Sequence, residues 1–68
     1  MYMKVDFRLK EVRIAKGLSQ KELGGLINAS QASISRWENK QVDPDLRVLF
    51  KLCVALHVSS DYLLSMKD

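Results

Sequence analysis

Residues 18–39, LSQKELGGLINASQASISRWEN, decide the fold of this chain. Ser19 and Glu22 have the spacing of a capping box, in which a hydroxyl and a carboxylate satisfy free amides at a helix start. The apolar residues that follow at helical spacing are Leu23, Leu26 and Ile27. Asn28 accepts the positive φ of a tight turn, and Ser30 is the expected N-cap of a second helix. The stretch therefore predicts two short helices joined by a tight turn.

The residues before this pair predict one more helix, from about Phe7 to Ala15. Asp6 is its expected N-cap, and Gly17 is expected to end it in a left-handed conformation. Its inward face is formed by Phe7, Leu9 and Val12. The residues before Asp6 fit a frayed tail, an arm packed on a partner or a short strand. We favour a partly ordered arm over residues 1–6.

The residues after the pair predict two further helices. One is capped by Asp45 and runs to about Leu56, where His57 is expected to take a left-handed conformation. A final short helix over about residues 60–65 is capped by Ser59. The expected apolar face of the longer helix comprises Leu46, Leu49, Leu52, Cys53 and Leu56. The fold class is therefore all-α, with five helices in one domain over residues 7–68.

Composition restricts the chemistry that this chain can carry. One cysteine among 68 residues excludes an internal disulfide and a metal site built on several thiolates, so we expect no metal and no cofactor. The single histidine, His57, has no accompanying nucleophile or carboxylate constellation, which makes an enzyme the least favoured class. No run approaches the ~18 apolar residues of a membrane helix, and no signal-peptide pattern appears. A cytoplasmic protein without membrane contact is expected.

Charge is distributed unevenly along the chain. Residues 1–40 hold eight basic and four acidic residues, a charge of +4, whereas residues 41–68 hold three basic and four acidic residues, a charge of −1. A polyanion is therefore expected to face the N-terminal helices.

The predicted helix over residues 31–39 has two different faces. On a helical wheel Ile34 and Trp37 share one side, and Ala32 and Arg36 lie nearly opposite. Arginine can bind guanine O6 and N7 with two parallel hydrogen bonds, and glutamine can do the same with adenine N6 and N7. Arg36 and Gln31 are therefore candidate readers of DNA bases, with Ala32 placed to contact a thymine methyl group. The alternative is an ordinary solvent-facing surface.

Residues on both flanks of this helix suit phosphate groups. Ser19 and Gln20 begin the preceding helix, whose free amides and positive dipole end attract an anion. Asn39 and Lys40 follow the candidate recognition helix directly. Contacts to phosphate on both sides would fix the helix in register before any base is read.

The span from Arg8 to about Leu64 resembles the phage-repressor and Cro-like helix-turn-helix family, also described as lambda-repressor-like or Xre-type. The stretches that carry the resemblance are RLKEVRIAKGLSQKEL, SQASISRWEN and PDLRVLFKLCVALHVSSDYLL. The resemblance implies a compact five-helix domain whose second and third helices form the helix-turn-helix. It also implies a transcription regulator, in most cases a repressor, that binds double-stranded DNA as a homodimer on a palindromic operator.

The resemblance also assigns roles to single positions. Base reading falls to Gln31, Ala32 and Arg36, to which we add Ser35. The resemblance assigns contacts to phosphate to Gln20 and Asn39. We expect further contacts to phosphate from Ser19, Ser33, Lys40 and Arg13. Arg13 and Glu38 match a pair that forms an ion pair between the first and third helices in several members of the family. Gly24 departs from a usual alanine, and Asn28 and Lys40 depart from usual glycines.

The C-terminal end suggests a partner. Val58, Tyr62 and Leu63 are more apolar than the end of a small monomer requires, and exposed apolar patches often mark interfaces. We expect a symmetric homodimer through these residues. The alternative function is an antitoxin or another protein-interaction module of the same fold, with a toxin or another regulator as its partner.

Overall fold

The computed structural model describes the backbone of residues 4–67 and the side chains of residues 7–64. The five predicted helices are present in the predicted order, which confirms the helical class, and a short two-stranded ribbon is added to them. The elements are β1 (Lys4–Phe7), α1 (Leu9–Ala15), α2 (Gln20–Ile27), α3 (Gln31–Glu38), α4 (Leu46–Leu56), α5 (Ser60–Leu63) and β2 (Leu64–Lys67).

Four of the helices begin at a capping side chain. At α2 the capping box is complete, because the Glu22 amide donates to Ser19 Oγ at 3.0 Å and the Ser19 amide donates to Glu22 Oε1 at 2.8 Å. The N-caps of α3, α4 and α5 accept a hydrogen bond in the same way and are Ser30, Asp45 and Ser59. These caps satisfy amides that a helix start leaves without an intrahelical partner, so local sequence fixes where each helix begins.

Left-handed residues separate the helices. Gly17 has φ 74° after α1, Asn28 has φ 59° after α2, and His57 has φ 57° after α4, as predicted. Lys40 has φ 60° shortly after α3, at a position where the related family usually has glycine. A lysine accepts this conformation at a cost of about 1 kcal/mol or more relative to glycine.

Two predicted boundaries were wrong, and one interaction explains both. Helix α1 begins at Leu9 and not at Phe7, its N-cap is Arg8 and not Asp6, and that cap makes no side-chain hydrogen bond. Helix α5 ends at Leu63 and not near residue 65. Both changes arise because the two ends of the domain pair as strands, with the Arg8 amide donating to the Leu63 carbonyl at 2.9 Å beside them.

The ribbon is antiparallel, and Lys4, Val5, Asp6 and Phe7 are paired with Lys67, Met66, Ser65 and Leu64 in that order. Of the three alternatives for the N-terminus, residues 4–7 therefore adopt the short strand and not the favoured arm. Residues 1–3 of the predicted arm lie outside the described residues.

The buried core is made by one side of each helix. Its members are Leu9, Val12, Leu23, Ile27, Ile34, Leu52, Leu56 and Leu63. Leu26 and Leu46, which were predicted to face inward, are 59% and 80% exposed. Both side chains lie outside the core. In α2 and in α4 the residues that face the core are a pair at i and i+4 spacing, and the apolar residues beside that pair point to the outside of the domain.

Two adjacent glycines in α2 have different surroundings. A Cβ atom at Gly24 would lie 2.5 Å from the carbonyl oxygen of Ala29, so the backbone after α2 passes too close for a side chain. A Cβ atom at Gly25 would meet nothing within 4 Å. Nothing in the structure explains the glycine at residue 25.

This contrast gives a prediction for stability. Gly25→Ala should stabilise the domain by about 0.5–1 kcal/mol, because alanine loses less backbone entropy in a helix and has free space here. Gly24→Ala gains the same helix propensity but must displace the Ala29 carbonyl, so its midpoint in urea unfolding should lie below that of Gly25→Ala. An equal or higher midpoint for Gly24→Ala would contradict the close approach.

Candidate nucleic-acid interface

Helix α3 presents two faces, as its sequence predicted. Ile34 is fully buried, and Trp37 packs half-buried against the core. Gln31, Ala32 and Arg36 are exposed on the other side. The helix is therefore anchored by apolar contacts and offers a surface that combines one small residue with two long hydrogen-bonding ones.

A buried ion pair ties α3 to α1. Arg13 Nε donates to Glu38 Oε2 at 2.5 Å, and Arg13 Nη2 donates to Glu38 Oε1 at 3.1 Å. The two side chains are 11% and 1% exposed. Hydrogen bonding to Glu38 raises the pKa of Arg13 above its ordinary value, against the opposing effect of burial. This arrangement fixes the orientation of α3 on the domain.

The contacts of Arg13 also bear on its predicted role as a phosphate contact. Its Nη1 atom donates to the Leu18 carbonyl at 2.8 Å, so all three nitrogens of the guanidinium group face protein acceptors. The whole residue is 9% exposed. Arg13 is therefore held mainly by protein acceptors, but Nη1 and Nη2 each keep a second N–H, so its contact to phosphate stays a prediction.

The N-terminus of α2 lies beside α3 and contacts residues at both of its ends. Gln20 is half-buried, its Nε2 atom donates to Glu38 Oε1 at 3.0 Å, and its Oε1 atom accepts from Gln31 Nε2 at 3.4 Å. A predicted phosphate contact thus adjoins a predicted base reader. Sequence analysis missed the Gln20–Glu38 bond, because partners that are 18 residues apart on different helices leave no local pattern.

Two serines of α3 are hydrogen-bonded to the residues that cap the helix. Ser33 Oγ accepts from Ser30 Oγ at 3.0 Å, and Ser35 Oγ accepts from Asn39 Nδ2 at 3.3 Å. Each serine hydroxyl keeps its own proton as a donor. Lys40 follows as an exposed residue. Seven predicted contact residues on α3 and its flanks therefore reach the surface at least in part: Gln31, Ala32, Ser33, Ser35, Arg36, Asn39 and Lys40.

Two further pKa shifts belong to structural roles. The Ser19 backbone amide lowers the pKa of the Glu22 carboxyl, which keeps the capping box ionised. Burial raises the pKa of the Cys53 thiol, which disfavours the reactive thiolate.

Among the described residues, no three histidine, cysteine, aspartate or glutamate side chains are grouped to hold a metal ion. The helices over residues 4–67 are all too short or too polar to cross a bilayer.

The predicted dimer residues have different surroundings. Leu63 is fully buried in the core and was wrongly assigned to an interface. Val58 packs half-buried against the core, and Tyr62 is 49% exposed. The Arg8 guanidinium lies 5.0 Å from the centre of the Tyr62 ring, a cation–π contact.

A larger apolar surface lies on α4. Its members, which we call the α4 patch, are Leu46, Phe50 and Val54. They follow at i, i+4 and i+8, and Phe50 is 70% exposed. Phe50 and Val54 also border a groove of about 490 Å³ shared with Leu26 of α2. Sequence analysis missed this patch, although α4 carries apolar residues on every side except at Arg47 and Lys51.

The ion pair gives a prediction for stability. Glu38→Ala should destabilise the domain by about 3–5 kcal/mol, because it leaves the Arg13 charge buried without its partner. Glu11→Ala is the control: it removes an exposed ion pair with Arg8, at 3.0 Å, and should cost less than about 1 kcal/mol. Both values are measured by urea unfolding. Similar losses for the two variants would contradict the structural role of the buried pair.

Comparison with known sequences agrees with this geometry. A family model described as Helix-turn-helix matches residues 9–63. The chain is 40% identical over 62 residues to the HTH-type transcriptional regulator ImmR of Bacillus subtilis (strain 168), covering 91% of this chain and 49% of that protein. It is 37% identical over 57 residues to the SPbeta prophage-derived uncharacterized HTH-type transcriptional regulator YonR of the same organism, covering 84% and 53%. The chain thus spans about half the length of the curated relatives it matches.

Solved structures show the same fold. The P22 c2 repressor in complex with synthetic operator 9T has a TM-score of 0.79 and 34% identity, covering 85% of this chain and 88% of that one. The restriction-modification controller protein C.AhdI from Aeromonas hydrophila has a TM-score of 0.78 and 36% identity, covering 82% and 85%. With the capped helix pair, the positive-φ turn and the family match over residues 9–63, the chain belongs to the helix-turn-helix family.

Proposed function

We propose that the chain is a sequence-specific double-stranded DNA-binding transcriptional regulator, acting as a repressor, that reads the major groove with α3. The observation that carries this proposal is the exposed face of α3, where Gln31, Ala32 and Arg36 lie beside the N-terminus of α2. The similarity to a repressor bound to its operator supports it. A cytoplasmic location is part of this proposal.

Base reading is assigned to the outer face of α3. The small side chains of Ala32 and Ser35 allow the helix to approach the floor of the groove closely. Arg36 is long enough to make the paired hydrogen bonds that select guanine, and Gln31 has the donor and acceptor that select adenine. Ala32 contacts a thymine methyl group. The four residues together read a short run of bases on one half-site.

Phosphate binding is assigned to the two flanks of α3. On one side, the amides at the start of α2, with Ser19 and Gln20, face one strand of the duplex. On the other side, Asn39 and Lys40 at the end of α3 face a second backbone segment, and Ser33 adds a hydroxyl donor. These contacts position α3 and contribute affinity, and they carry no sequence information themselves.

We further propose that two copies of the chain bind a palindromic operator. Helix-turn-helix dimers place their recognition helices one DNA turn, ~34 Å, apart, and the two-fold axis of the protein matches that of the site. Two surfaces are candidates for the dimer contact, the α4 patch and the surface around Tyr62. We assign the dimer contact to the α4 patch. It holds the larger exposed apolar side chains, whereas the ring of Tyr62 already contacts Arg8.

A protein-interaction module, such as an antitoxin, is the second candidate function. The exposed α4 patch and the groove beside it favour this function, because a protein partner would bury them in the same way. A protein partner on the α4 patch would compete with the proposed dimer contact and would leave the outer face of α3 exposed. A stable partner that covers α3 and prevents DNA binding would favour the second function over the first.

Selection of bound sites from random duplex DNA tests the first proposal directly. The proposal expects a palindromic consensus, and an affinity for that site that falls with salt concentration as phosphate contacts are lost. Recovery of random sequence after repeated rounds, with equal affinity for all duplexes, would contradict it.

The reading role of Arg36 gives a prediction for binding. Arg36→Ala should weaken binding to the selected site by about 1–3 kcal/mol and relax the preference at one base pair, because a bidentate contact to guanine is lost. Lys51→Ala, which removes one exposed positive charge from α4, is the matched control and should leave that preference unchanged. Affinities are measured by fluorescence anisotropy on specific and random duplexes. An unchanged ratio of specific to random affinity in Arg36→Ala would contradict the assigned role.

The dimer contact gives a prediction for oligomeric state. Phe50→Glu should convert the chain to a monomer, because two negative charges would be buried in an apolar contact, and it should weaken binding to the palindrome more than to a half-site. Tyr62→Glu is the control and should leave the dimer intact. Analytical ultracentrifugation distinguishes the results. If the dimer survives Phe50→Glu but not Tyr62→Glu, the dimer contact lies around Tyr62 and not at the α4 patch. A wild type that is strictly monomeric on operator DNA would contradict the proposed homodimer.

A further inference from the structure

A line of hydrogen bonds runs from the buried ion pair to the exposed face of α3. Glu38, with a side chain that is 1% exposed, accepts from both Arg13 and Gln20. Gln20 in turn accepts from Gln31, whose side chain lies at the surface. A buried carboxylate is therefore connected through one glutamine to the glutamine that we assign to base reading.

The chemistry of these groups gives the line a direction. As the anionic partner of Arg13, the Glu38 carboxylate only accepts hydrogen bonds, whereas an amide group has one donor end and one acceptor end. Gln20 must therefore turn its NH₂ group toward Glu38, since its carbonyl oxygen would be repelled there. Its carbonyl oxygen then faces Gln31, so Gln31 must turn its own NH₂ group toward Gln20. The carboxylate thus fixes the orientation of both amides.

The orientation of Gln31 decides which base it matches. With one N–H given to Gln20, Gln31 retains one N–H and its carbonyl oxygen, which is the donor and acceptor pair that adenine N7 and N6 require. In the reversed orientation its carbonyl oxygen would accept from Gln20, and its NH₂ group would face the acceptors N7 and O6 of guanine.

We propose that Glu38 is a positioning residue that sets, through Gln20, a preference of Gln31 for adenine over guanine. This inference rests on the proposed function, in which Gln31 reads a base. It assigns to Glu38 an effect on specificity in addition to its structural ion pair with Arg13. Glu38 itself makes no contact with DNA.

Two variants interrupt the line at different points. Gln20→Met removes both amide hydrogen bonds and keeps the Arg13–Glu38 pair and the length of the side chain. Glu38→Gln keeps the shape but can present either an oxygen or an NH₂ group to Gln20. Thermal unfolding verifies that each variant is folded at the assay temperature. If Glu38→Gln does not fold, Glu38→Asp replaces it, because it keeps the charge beside Arg13 and draws the carboxylate back from Gln20.

The readout is the ratio of affinities for two duplexes that differ at one base pair. Gln31→Ala first identifies the base pair of the selected site that Gln31 reads, and adenine and guanine are then compared there. We expect the wild type to prefer adenine by about tenfold or more, and both variants to reduce that ratio by about fivefold or more. The preference at the base pair read by Arg36 should stay unchanged. A loss of phosphate contacts or of stability would lower affinity for both duplexes equally and leave the ratio intact.

The possible outcomes separate this inference from the function on which it rests. If Gln31→Ala removes the preference while Glu38→Gln, or Glu38→Asp in its place, leaves it within twofold of the wild type, the positioning role of Glu38 is overturned and the proposed function stands, whatever the effect of Gln20→Met. If Gln31→Ala changes no preference at any base pair, the reading role of Gln31 is overturned, and the positioning role with it. Reduced ratios in all three variants, confined to one base pair, support the proposal.

Discussion

The buried ion pair between Arg13 and Glu38 is the interaction on which the placement of the proposed DNA-binding elements depends. Removing two charges from water is costly, and the cost is offset here because every group has partners: Glu38 accepts from Arg13 and Gln20, and Arg13 also donates to the Leu18 carbonyl. These bonds join α1, α2 and α3. In a domain with so small an apolar core, a satisfied polar network defines the relative positions of three short helices more narrowly than packing alone.

Local interactions also fix where α3 begins and where it ends. Ser30 caps its start, and Asn39 and the left-handed Lys40 end it. A recognition helix that is fixed at both ends and anchored by Ile34 loses little conformational entropy on binding, which favours affinity and keeps its outer side chains in register. Lysine accepts the strain of a positive φ at residue 40, and in the proposed complex its charge lies at a phosphate.

Sequence alone predicted what local rules control. The caps at Ser19, Ser30, Asp45 and Ser59 and the left-handed residues were predictable because each depends on neighbours within a few positions. A strand before Asp6 was only one of three alternatives and β2 was not predicted, because the two strands have four residues each, too few for a convincing alternation, and they pair across 57 or more residues of sequence. The exposure of Leu46 and the bond from Gln20 to Glu38 depend on how helices pack, which no local pattern records.

The central claim is that the outer face of α3 is the surface that meets DNA. Titration of ¹⁵N-labelled protein with the selected duplex, followed by NMR, tests it most directly. The claim predicts the largest chemical-shift changes at Gln31, Ala32 and Arg36 and at the amides that begin α2, with small changes at the backbone amides of the α4 patch in a dimer that is already formed. Changes centred on Phe50 and Val54, with α3 unaffected, would contradict it.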